Sequence, residues 1–125
     1  MPNDCWNNIT ITCDDSVELN TLYINELIRE EGRDYKEEFY FYKNVNIEKK
    51  CLNGIKFKQL TAWNPDVVWL ESLLTKYPNC WIKNEWYEEG GNAGVWIGSV
   101  KKGIQTIYWE DLSIEANHHI FDTNI

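Results

Sequence analysis

An α+β sandwich is the fold class predicted by this 125-residue sequence, on three observations. Residues 8–13 alternate with a period of two, residues 65–77 carry a period near 3.6, and strand-like and helix-like segments follow one another along the rest of the chain. In order the segments read strand, helix, strand or hairpin, helix, strand, strand. That is the pattern of a ferredoxin-like sandwich, an antiparallel sheet of four to six strands with two helices on one face. The length suits a single domain over residues 1–125, able to bury about two-thirds of the surface that its unfolded form exposes.

The first strand rests on Ile9 and Ile11 alternating with Thr10 and Thr12. Asp15 or Ser16 then caps a helix whose apolar positions Val17, Leu19, Leu22, Tyr23, Leu27 and Ile28 mostly recur at helical spacing, with Gly32 marking its end. Glu18, three residues after Asp15, adds a capping-box signature. Residues 39–42 form an aromatic run that suits a strand or an ordered loop. Asn53-Gly54 supplies the positive backbone angles of a tight hairpin between strands at 47–52 and 55–60. A second helix starts at Asn64-Pro65, read as a cap followed by proline at the first helical position, and Pro78 stops it. Its apolar stripe is Val67, Leu70, Leu74 and Tyr77, widened by Trp69 and Leu73. Strands follow at 80–87, 93–100 and 104–109, and the polar segment 110–125 carries scattered apolar residues compatible with partial docking or a free tail.

Composition excludes several classes. Charged residues at 26% and hydrophobic residues at 43% are ordinary for a globular protein. No apolar run approaches the ~20 residues that span a bilayer, and Asp4 stands where a basic signal segment would begin, so the expected location is the cytoplasm of a bacterial cell. A net charge of −8 opposes direct binding to nucleic acid and suits a basic partner surface, or simple solubility. The cysteines Cys5, Cys13, Cys51 and Cys80 show no Cys-x-x-Cys spacing and read as free, buried thiols. A zinc site made by two of them with His118 or His119 has no spacing to support it, and the sequence predicts neither metal nor cofactor.

The opening Met1, Asn3, Cys5 and Asn7 or Asn8, together with Trp63-Asn64-Pro65, Trp69-Leu70, Lys76-Tyr77-Pro78, Tyr87-Glu88 and Ala93-Gly94-x-Trp96, resembles the YubB-type family of plasmid and phage proteins. These matches cover about half of the chain. The resemblance implies the same ferredoxin-like domain and a life on mobile elements, but no reaction.

Candidate binding residues come from three features. Of the seven tryptophans, Trp63, Trp69 and Trp96 fall in the family-like segments and are expected to pack, whereas Trp6, Trp81, Trp86 and Trp109 are hard to place together in so small a core. An open sheet face bearing some of these four could bury against a partner or stack on a flat ligand. The turn Glu88, Glu89, Gly90, Gly91, Asn92 has glycines that let N–H groups converge on an anion, but no helix or Lys-Ser pair completes a phosphate loop. Its glutamates suit a cationic group on a partner. Finally, Lys49, Lys50, Lys56 and Lys58 make a basic hairpin, read either as edge protection or as a phosphate-facing patch.

Catalysis is not expected. Both histidines lie in the polar tail, and the paired carboxylates Glu88-Glu89 and Glu110-Asp111 are sequence neighbours that point to opposite faces of a strand. The expected function is a non-enzymatic mobile-element accessory protein that inhibits a host protein, one with a basic nucleic-acid-binding surface, in counter-defence. The alternative is a small-molecule binder that sequesters a nucleotide signal. Homodimerisation through the open sheet is a further outcome.

Overall fold

The computed structural model describes residues 3–31 and 43–109. The aromatic run 39–42, read as a strand or an ordered loop, the helix end at Gly32, the tail 110–125 and both histidines lie outside these residues. Six strands form one antiparallel sheet: β1 Asp4–Cys13, β2 Val45–Lys50, β3 Gly54–Ala62, β4 Cys80–Glu88, β5 Ala93–Ser99 and β6 Gly103–Trp109, in the spatial order β2-β3-β1-β4-β5-β6. Helix α1, Ser16–Leu22, follows β1, and α2, Val67–Lys76, joins β3 to β4. The first four strands have the ferredoxin-like order, each helix carrying the chain past one intervening strand; β5 and β6 extend the sheet by a meander.

Period-two patterning sorts the two faces. On the helix side lie Ile9, Ile11, Ile55, Phe57, Ile82 and Trp96. Against them the helices set Leu19, Leu22, Leu27, Trp69, Leu70, Leu73 and Leu74, all buried. Phe57 meets Trp69 edge-on at 6.2 Å. Each such side chain contributes about 1.5–3 kcal/mol by leaving water, so this layer is the main source of stability.

Four local readings change, the first at the hairpin turn: neither Asn53 nor Gly54 has a positive φ, and residues 51–53 connect the strands while Gly54 already opens β3. The first helix does not run evenly to Glu30: after Leu22 the chain widens into a π turn, Tyr23–Leu27, and tightens into a 3₁₀ turn, Ile28–Glu30. The widened turn accompanies the burial of both Glu26 and Leu27 against the core, where Glu26 accepts a hydrogen bond from Tyr77 Oη at 3.0 Å. At the second helix the cap is Asp66, not Asn64. Asp66 Oδ1 accepts from Trp69 N at 3.2 Å, and Lys43 Nζ lies 2.9 Å from Oδ2, so Pro65 precedes the cap. In the hairpin, the pairing register shifts between Ile47 and Lys49. Lys50 consequently leaves the other three lysines and sits over the Tyr23 ring, 5.4 Å from its centre.

The cysteine expectation holds for Cys5, Cys13 and Cys80, which are buried free thiols; Cys51, in the hairpin turn, is exposed.

Candidate recognition surface

The outer face of the sheet is built by the residues that alternate with the core. Across neighbouring strands Leu60, Trp6, Tyr87 and Ala93 form one row, and Lys58, Asn8, Glu85, Val95 and Ile107 the next. Trp6 and Tyr87 are direct cross-strand partners, their ring centres 4.9 Å apart and tilted by 32°. A groove of about 500 Å³ runs beside this pair, bordered by Asn8, Asn46, Lys58 and Leu60. Lys58 also lies 3.9 Å from Glu48, a loose and largely exposed pair that fixes it only weakly.

The other predicted residues fall in different places. Trp81 is half-buried on the outer face, three rows from Trp6 and opposite Thr12. Trp86 belongs to the helix side: it is 8% exposed and packs against Tyr108 at 5.8 Å, across the space left by Gly94. Trp109 ends β6 opposite Ala93. Of the tryptophans expected to pack, Trp69 and Trp96 are buried, but Trp63 stands exposed at a positive φ of 68°.

The glycine turn does gather N–H groups around an anion, and the anion is its own. Glu88 is buried, and its carboxylate accepts from Gly90 N at 2.8 Å, Asn92 N at 3.1 Å and Asn3 Nδ2 at 3.1 Å. These donors, the Gly90 amide first, hold the Glu88 carboxyl below its usual range despite burial. Glu89 accepts from the Asp4 amide, tying the turn to the start of β1. Gly91 N donates to Glu88 O at 3.0 Å. The turn is thus a closed unit whose amides and acids satisfy one another.

A polar cluster that the sequence does not announce occupies the helix side of the sheet's other half. Asn7 Nδ2 donates to Gln59 O at 3.1 Å and Thr61 Oγ1 at 2.9 Å, and Asn84 Nδ2 donates to Asn7 Oδ1 at 2.9 Å. Only the strand register places these amides together. Cys5 beside them is pushed up to about 11, chiefly by burial, which keeps it a neutral thiol rather than a nucleophile at neutral pH.

Among the described residues, no helix is long and apolar enough to cross a membrane. Comparison of the chain with protein families, with curated proteins and with solved structures finds no match.

Proposed function

We propose that this protein is a non-enzymatic binding protein, that its working surface is the outer face of the sheet, and that the groove beside Trp6 and Tyr87 receives a planar anionic small molecule of the nucleotide class. The convergence of the aromatic pair with Lys58, Asn8 and Asn46 around one groove carries the reading. Its volume of about 500 Å³ lies within the range of small-molecule sites. A base would stack on the aromatic rings, the asparagine amides would meet its polar edge, and Lys58 would face a phosphate. The glycine turn takes no part, since Glu88 occupies its amides. Support for a non-catalytic role comes from the buried acids Glu26 and Glu88, each committed to structural partners.

Titration of tryptophan fluorescence with mono- and cyclic nucleotides tests the reading. Saturable quenching is expected in the wild type, with affinity falling about tenfold in Trp6→Ala, since one base–aromatic stack contributes about 1–3 kcal/mol. A smaller loss is expected in Lys58→Ala. Quenching that never saturates, or that Trp6→Ala leaves intact, rejects it.

A second reading has the same face docking on a protein. Ile107, exposed on this face of β6 beside Val95 and Glu85, and the net charge of −8 favour it. With the likeness to YubB-type plasmid and phage proteins, the partner would be a basic host factor and the role counter-defence in the bacterial cytoplasm. A complex with a purified basic nuclease that Ile107→Lys disrupts, and that nucleotides do not displace, would favour this reading over the first.

A further inference from the structure

Cys13 and Cys80 stand directly opposite each other where the β1–β4 pairing ends. Both are buried. Glu18, in the first turn of α1, brings its carboxylate over the pair: Oε2 lies 3.8 Å from Cys13 Sγ and 3.9 Å from Cys80 Sγ. The three donor atoms are all within 4.8 Å of one another. A tetrahedral zinc ion bonded at about 2.3 Å to sulfur and about 2.1 Å to oxygen requires S···O edges of roughly 3.6 Å and an S···S edge of roughly 3.8 Å. The sulfur–oxygen separations already approach those edges.

The supports of the three groups fit the same purpose. Cys13 is held by its backbone, its N–H donating to Asn53 O at 3.1 Å and its carbonyl accepting from Asn53 Nδ2 at 2.8 Å. Cys80 N donates to Tyr77 O at 3.0 Å. Glu18 is oriented by Asn79, whose N–H lies 2.9 Å from Oε2 and whose Nδ2 lies 3.1 Å from Oε1. Such outer hydrogen bonds orient a ligating carboxylate.

We propose that Cys13, Cys80 and Glu18 form a site for a soft divalent cation, with zinc the best fit. Binding would displace the two thiol protons to solvent and leave two thiolates and one carboxylate on the metal, with the fourth position open on the partly exposed side of Glu18. Sulfur donors select zinc or cobalt over magnesium and calcium. This site is independent of the outer-face groove, because all three ligands belong to the helix side of the sheet.

Cobalt(II) is the probe, added to the reduced full chain. A sulfur-to-cobalt charge-transfer band and intense visible bands of a tetrahedral ion are expected, saturating at one cation per chain and abolished by added zinc but not by magnesium. Cys13→Ser and Cys80→Ser should remove the bands, Glu18→Gln should weaken binding at least tenfold, and Cys51→Ser should leave it unchanged. The wild-type titration decides even where a serine variant folds poorly. Absence of the bands in the reduced wild type, their survival in the double serine variant, equal competition by magnesium, or a Cys13–Cys80 disulfide in protein isolated without reductant would each overturn the assignment.

Discussion

Glu88 illustrates how far a side chain's role depends on partners beyond its own motif. Its carboxylate closes the turn and reaches Asn3, so it stabilises two segments at once. Replacing it in Glu88→Gln should cost about 1–2 kcal/mol at pH 7, the scale of charge-assisted hydrogen bonds. The pH dependence has a definite sign. A carboxyl whose folded pKa lies below its unfolded value near 4.5 adds stability that is complete above that value and is lost as pH falls through the lowered one. Urea unfolding at pH 7 and pH 3 should therefore show the gap between wild type and Glu88→Gln closing on acidification; a constant gap would contradict this account. Sequence reasoning sees the two glycines and two acids but not that the acid fills the turn, because the third donor comes from Asn3. Glu18 repeats the lesson. Its position three residues after Asp15 suggests a capping box, yet only Asp15 caps, accepting from Val17 N and Glu18 N, while Glu18 turns towards the cysteines.

At the scale of elements, alternation made β1 and β4 legible, β2 lies two residues earlier than the sequence suggests, and the apolar stripe made α2 legible down to Leu70, Leu73 and Leu74. What escaped was decided by competition between adequate local signals. Asn64-Pro65 and Asp66 both offer a start to α2, and Asp66 prevails with a side-chain bond to Trp69 N and an ion pair to Lys43. The two added strands depend on a glycine in a way the sequence hides. A Cβ at Gly94 would stand 2.6 Å from Ile107 O and 2.8 Å from the Trp86 ring, so Trp86 lies where a side chain would otherwise be. The carbonyl belongs to the neighbouring strand and cannot rotate away. Gly94→Ala should destabilise the protein by about 1–3 kcal/mol, the cost of overpacking, with loss of amide protection concentrated in β5 and β6. Hydrogen exchange that stays uniform across the sheet would refute that localisation.

For the whole molecule, the separation of faces predicts a separation of effects. Trp6→Ala lies outside the core and should cost no more than about 1 kcal/mol, the scale of its cross-strand pair with Tyr87, whereas Phe57→Ala, which empties a fully buried site against Trp69, should cost about 3–5 kcal/mol. Thermal melts of the two variants check this directly, and a large loss in Trp6→Ala would mean that the outer face is structural. The fold class was readable from the order of elements, but the groove was not: Trp6, Lys58 and Tyr87 become neighbours only once β1 lies between β3 and β4. That central position has a kinetic consequence. Both partners of β1 come later in the chain, Asn8 facing Lys58 on one side and Glu85 on the other. During synthesis the strand therefore waits with both edges bare while the hairpin of β2 and β3 and the meander of β4 to β6 can close locally, and long loop closures of this kind slow folding. The interval before β4 is made is when a nascent chain would most need shielding from its neighbours on the ribosome.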